Sequence, residues 1–219
     1  MNRQQDVEVL DAAVVYDGHF KMVRYRLRHR LFDGGWSREL TREIFERGHA
    51  AAVLPYDPGR DLVVLTEQFR AGALEDERGA WLIEPVAGVI DGGDGPEPTV
   101  RREAVEEAGL ELRRLALVGD VLVSPGGTSE RVTVYVGEVS AAGAGGVHGL
   151  PDEAEDIRVH VVPFAEAMRW LDDGRVRVAS AVIALQWLAL HRDRLRAAWL
   201  QDGAGSATVS HLEPDRLSD

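Results

Sequence analysis

The sequence predicts an α/β protein: an α/β/α sandwich with a mixed β-sheet, preceded by a small N-terminal antiparallel β subdomain. Three observations lead there. Val7 to Leu31 partly alternates apolar and polar residues and is punctuated by Asp17 and Gly18, which reads as two strands joined by a turn. Ala50 to Leu54 and Leu62 to Leu65 are compact apolar runs, too short for helices and suited to a buried sheet. Between later strand-like runs lies a helical segment bracketed by Pro98 and Gly109, and the order of strands and helices is that of layered α/β proteins.

In chain order, a third strand follows the Asp33-Gly34-Gly35 turn, from Ser37 to Glu46. Arg24, Arg26, Arg28 and Arg30, two residues apart, line one face of the second strand and read as a solvated outer face. A subdomain boundary is placed near Gly48, giving residues 1–48 as the β subdomain, 49–200 as the main domain and 201–219 as a flexible polar tail. Trp81 to Val86 is expected to be one strand, Asp91 to Pro98 a loop, and Leu115 to Val123 with Arg131 to Val139 a strand pair around the loop Ser124 to Glu130. Ala141 to Gly149 is glycine-rich, and Pro151 to Asp156 is an acidic loop leading to a strand at Ile157 to Val162. Pro163 opens a helix that Gly174 stops, and a longer amphipathic helix spans about Val178 to Leu200, with Trp187 and Trp199 as core or interface anchors.

The chain has 37 acidic residues against 25 Lys plus Arg, a formal charge of −12, which argues against nonspecific binding to nucleic acid or an anionic membrane. It has no cysteine, so a metal would be held by carboxylates, carbonyls or imidazoles. The first residues lack the apolar core of a signal peptide and no stretch has the length of a membrane span, so a cytoplasmic location is the expectation.

The segment Ala87 to Leu110 carries the chemistry. Glu103, Glu106 and Glu107 stand at i, i+3 and i+4, so three carboxylates share one helix face, while Val100, Ala104, Val105 and Ala108 fall on another arc. Carboxylates one turn apart repel unless a cation lies among them, and a hard divalent metal serves that purpose. The segment resembles the Nudix box, Gx5Ex7REUxEExGU with U aliphatic. Gly88, Arg102, Glu103, Ala104, Glu106, Glu107, Gly109 and Leu110 take its positions, and Asp94 stands where the pattern has its first Glu. Outside the box, REIFERGHAA at Arg42 to Ala51, EQFR at Glu67 to Arg70, SPGGTSER at Ser124 to Arg131 and DEAEDIRVHVV at Asp152 to Val162 resemble the ADP-ribose pyrophosphatase branch of the Nudix hydrolases.

That resemblance implies hydrolysis of the pyrophosphate bond of ADP-ribose to AMP and ribose 5-phosphate, with magnesium as cofactor and manganese as an alternative. It implies metal ligation by the Ala87 carbonyl, Glu103, Glu107 and Glu155, with Glu106 as a further ligand, and Glu153 as catalytic base. Phe20 or its neighbour His19, Arg42, Glu43, Arg70 and Glu130 would contact substrate, while Gly88, Asp94, Arg102 and Gly109 orient the box. It also implies a homodimer intertwined through its N-terminal strands. The alternatives are a hydrolase of another nucleoside diphosphate sugar, such as an ADP- or GDP-hexose, and a nucleotide-sugar sensor without catalysis. Because the favoured ligands exclude Asp94, activity is expected to survive its shorter side chain. A turnover assay of Asp94→Glu that ran many-fold faster than the natural protein would contradict this.

Overall fold

The computed structural model describes residues 5–91, 93–150, 152 and 154–201. The chain divides into two compact units, one formed by residues up to His49 together with Leu122–Arg131, the other by Ala50–Val121 and the residues from Val132 on.

The first unit is a three-stranded antiparallel sheet of β1 (Val7–Asp17), β2 (Lys21–His29) and β3 (Leu40–Glu46), in the order β1-β2-β3. On the arginine face of β2, Arg26 pairs with Glu39, Arg28 pairs with Glu8, and the Arg28 and Arg30 guanidinium groups lie over the Trp36 ring at 5.0 and 4.4 Å. The segment 122–131 joins this unit by tethers that the sequence does not announce. Phe45 donates its N–H to the Gly127 carbonyl, the Thr128 hydroxyl donates to the Phe45 carbonyl, and the Ser129 hydroxyl donates to Glu46. The loop between the later strand pair is therefore stitched along β3.

The second unit contains a mixed sheet. Its strands are β4 (Ala50–Asp57), β5 (Leu62–Phe69), β6 (Trp81–Glu84), β7 (Val86–Val89), β8 (Leu115–Leu122), β9 (Arg131–Glu138), β10 (Gly146–His148) and β11 (Ile157–Pro163). The main order is β10-β11-β5-β4-β9-β8, with β6 against β5 and β7 against β4. The β4–β9 pair is parallel, whereas β4–β5, β4–β7 and β5–β11 are antiparallel. Alternation along each strand sends side chains to opposite faces, and both faces are covered. Val64, Ala51 and Val53 pack with Val100, Ala104 and Ala108 of α1 (Pro96–Ala108) on one side. Leu54, Tyr56, Val63 and Leu65 pack on the other with Phe164, Ala167 and Trp170 of α2 (Phe164–Asp172) and Leu185, Leu188 and Trp199 of α3 (Ala179–Gln201). This is the expected α/β/α sandwich.

Three local expectations are corrected. Trp81 to Val86 is two strands, because Pro85 breaks the ladder and hands the chain from β5 to β4. The strand that begins at Ala50 does not stop at Leu54 but continues through Pro55 to Asp57. The β7 pairing ends at Val53 and the β5 pairing starts at Tyr56, so the missing N–H of Pro55 falls between two partner strands. The helix begins at Pro96, not Pro98, with Gly95 as its cap and proline in its first turn. Among the described residues, no helix is long and apolar enough to cross a membrane.

Leu185 is fully buried between α3 and the sheet. Leu185→Ala is expected to lose about 2–5 kcal/mol, read from urea unfolding.

Candidate active site

The helix α1 is held at both ends by its own sequence. The Thr99 N–H and hydroxyl both donate to the Gly95 carbonyl, at 3.3 and 3.1 Å. Gly109 ends the helix in the left-handed region at φ 63°, where its N–H reaches the Val105 carbonyl and the Leu110 N–H reaches that of Ala104. Val105, grouped by the wheel with the core-facing residues, is instead half-exposed, and Glu107 takes a buried place at 3% exposure. At ~100° per residue Val105 lies about 140° from Val100, whereas Glu107 lies only about 20° from it.

Glu107 is therefore a carboxylate inside the sandwich. One oxygen accepts the Ala87 N–H at 3.2 Å, and the other lies 3.5 Å from the Gln68 side-chain amide nitrogen. Burial drives its pKa up from 4.5 to about 8, the Ala87 N–H opposes that, and the neighbouring charge of Glu103 adds to it. The positive charge of Arg70 acts in the opposite sense on Glu107. Glu103 is also shifted upward, chiefly by burial, with contributions from Glu106 and Glu155 that Arg102 counters.

Gly88 lies beneath Glu103, and a Cβ there would occupy the space of the Glu103 carboxylate, so glycine lets that carboxylate lie directly over the strand. The Arg102 Nη1 spans Glu103 Oε1 at 2.8 Å and Glu106 Oε2 at 3.1 Å, tying two of the three helix carboxylates to one cation. Glu155 is bonded locally: its N–H donates to the Leu150 carbonyl at 3.2 Å and its carboxylate accepts the Leu150 N–H at 3.3 Å. Ala154, just before it, has φ 55°, a strained value for a residue with a Cβ. Glu153 lies outside the described residues. Asp94 is exposed in the turn before α1, with its N–H bonded to the Asp91 carbonyl at 3.0 Å.

Arg70 closes the row. It leaves β5 and turns back to Glu84 on β6, its Nε and Nη2 donating to one carboxylate oxygen at 2.9 and 2.8 Å. Thr66, Gln68 and Arg70 alternate onto the face that carries Val64 against α1. Gln68 and Glu84 escaped the sequence reading. Two signals pointed to them: Gln68 is two residues from Arg70, and Glu84 is a lone carboxylate in an apolar run.

In the first unit, Phe20 stacks edge-on against Phe45 with centroids 5.2 Å apart, and the Arg47 guanidinium lies 5.5 Å from the Phe20 centroid. Arg47 also pairs with Glu130 at 3.5 Å. Phe20 and Glu130, far apart in sequence, thus share a neighbour that the sequence reading did not name. Glu43 is opposite Arg24, and Arg42 is opposite Tyr25, so these two project to opposite faces of β3.

Comparison with known proteins gives this arrangement its family. The NUDIX domain matches residues 46–183. The chain belongs to the NUDIX family. It is 53% identical over 196 residues to an ADP-ribose pyrophosphatase of Escherichia coli strain K12, covering 90% of this chain and 94% of that one. It is 40% identical over 151 residues to a GDP-mannose pyrophosphatase of Klebsiella pneumoniae, covering 67% of this chain and 74% of that one. A crystal structure of an ADP compounds hydrolase superposes with a TM-score of 0.67 at 21% identity, over 88% of this chain and 97% of that one, which attests to the fold.

Among the described residues of this NUDIX domain, no three carboxylate or imidazole groups converge as a ready-made metal cage. The donor set nevertheless suits a hard cation. Glu103 and Glu107 are oxygen donors whose charged forms burial disfavours, and Mg2+ keeps several waters and needs only one or two carboxylates.

A pH dependence follows from Glu107. Its folded pKa lies above its unfolded value, so the stability it contributes to metal-free protein is complete below about pH 4.5 and is lost as the pH climbs through about 8. Melting temperatures of chelator-treated protein should fall across that window as the group's contribution declines by ~1.4 kcal/mol per pH unit. Mg2+ should oppose the fall and Glu107→Gln should flatten it. A chelated wild type with pH-independent melting would refute the assignment.

Proposed function

We propose that this chain is a Mg2+-dependent hydrolase of nucleoside diphosphate sugars that cleaves ADP-ribose to AMP and ribose 5-phosphate. The observation that carries the chemistry is the buried Glu107 carboxylate, held by the Ala87 N–H on the helix that also carries Glu103. The choice of ADP-ribose is supported by the 53% identity to the E. coli ADP-ribose pyrophosphatase across nearly the whole chain. The GDP-mannose pyrophosphatase of K. pneumoniae supports a second reading, in which a GDP-hexose is the substrate.

Glu103, Glu107, Glu155 and the Ala87 carbonyl would hold the cation, with Glu106 as a further ligand; Mn2+ would also suit these oxygens. Bound there, the metal screens diphosphate charge and lowers the pKa of a coordinated water. The protein's own part is to keep those groups in place. The Ala87 N–H orients Glu107, and Gln68 lies beside its other oxygen. Arg102 balances Glu103 and Glu106. Arg70 offers N–H donors to phosphate oxygens, which an anionic substrate needs on a chain of charge −12. Glu153 accepts the proton of the attacking water; water adds across the P–O–P bridge, and each product keeps one phosphate.

The resemblance assigns Phe20 to the adenine, Arg42 to a phosphate or ribose group, Glu130 to the terminal ribose and Glu43 to a further substrate contact, in an intertwined homodimer. The surface of β1 supports a self-partner: Val9, Val14 and Tyr16 are 55%, 54% and 65% exposed on a long edge strand, and such an edge is ordinarily covered.

A product assay decides the activity. With Mg2+, the protein should release AMP from ADP-ribose faster than it releases GMP from GDP-mannose, and chelator should stop it. Glu153→Gln should lower kcat by about 10²–10⁴-fold with little change in KM. Unchanged turnover in that variant would remove Glu153 as the base.

A further inference from the structure

Arg70 poses a problem that the hydrolase reading leaves open. Its side chain is 42% exposed and stands at the end of a strand, where a long flexible side chain normally samples many rotamers. A mobile cation is a poor anchor for a phosphate, because its freedom must be given up at each binding event. Here it is held at two points. Its backbone N–H is bonded to the Ala80 carbonyl at 2.8 Å, and its Nε and Nη2 both donate to Glu84 Oε2. Glu84 is itself 7% exposed, fixed on β6 opposite Thr66, with the Thr66 hydroxyl directed at its backbone carbonyl at 3.4 Å. A nearly buried carboxylate is costly unless paired, and its charged partner is the half-exposed Arg70.

We propose that Glu84 is a positioning residue for substrate binding: it grips the Nε edge of Arg70 and leaves the Nη1 edge to receive a phosphate oxygen. The assignment rests on the hydrolase reading above. A guanidinium has two usable edges, so a carboxylate on one does not block the other. The grip also explains why a carboxylate occupies the apolar strand Trp81–Glu84, where Ile83 packs into the core. The ordering of Arg70 is then part of folding, and the substrate meets a cation already aimed.

Steady-state kinetics on ADP-ribose test this with wild type, Glu84→Gln, Arg70→Ala and the double variant. Glu84→Gln should raise KM about tenfold with kcat nearly unchanged, as expected for the loss of a charge-assisted grip. Arg70→Ala should raise KM at least as much, and the double variant should be no worse than Arg70→Ala alone. Arg70→Lys keeps the charge, removes the Nε donor and stands on the exposed side of the pair. It should reproduce the KM rise even if Glu84→Gln folds poorly. The Nε–H resonance of Arg70, identified by its loss in Arg70→Ala, should be sharp in wild type without substrate and broadened in Glu84→Gln. Multiplicative effects in the double variant, an unchanged KM in folded Glu84→Gln, or an unchanged KM in both Arg70 variants would overturn the proposal while leaving the hydrolase reading intact. A wild type that cleaves no nucleoside diphosphate sugar would overturn both, so the two failures are told apart by the first measurement.

Discussion

The burial of one carboxylate, Glu107, is the constraint on which the site depends. A desolvated carboxylate inside a sandwich is unfavourable by itself, and the surrounding structure is arranged to manage it. A strand N–H from Ala87 meets one oxygen, Gln68 approaches the other, and the charge of Arg70 favours the ionised form. The compensation is incomplete, as its raised pKa shows. What remains is a carboxylate whose charged form burial disfavours.

The approach of helix to strand follows from the same constraint. For Glu107 to reach the Ala87 N–H, α1 must lie close over β7, and Gly88, with no side chain, lets the Glu103 carboxylate lie directly over that strand. Val100, Ala104 and Ala108 supply the apolar contact that holds the helix down, and the left-handed Gly109 releases the chain before it overruns the sheet. Stability and function are thus in tension along one helix: its inner face carries both core residues and an ionisable group the core would exclude.

Much of this was legible in the sequence where the information is local. Most strands of the sandwich, the helix that Gly109 ends, and the row Arg102, Glu103, Glu106, Glu107 follow from periodicity and from glycine at the helix end. The Pro85 break and the placing of Pro55 within β4 were not legible, because each depends on which strand lies alongside. The tethering of 124–129 to β3 was hidden for the same reason, since residues about 80 positions apart make those bonds. Gln68, Glu84 and Arg47 were missed as site neighbours because their meaning lies in a partner, not in a spacing.

By itself the sequence determined the family, the presence of three carboxylates on one helix face, and where that helix stops, since a helical repeat and its glycine cap are encoded within a few residues. It left those carboxylates equivalent. Only the tertiary structure decided that Glu107 is the desolvated one, that Glu103 and Glu106 share Arg102, and that Arg70 is held by Glu84. Burial and ion pairing depend on distance in space, and the strands that supply the partners are brought to the helix by the sheet, not by the order of the chain.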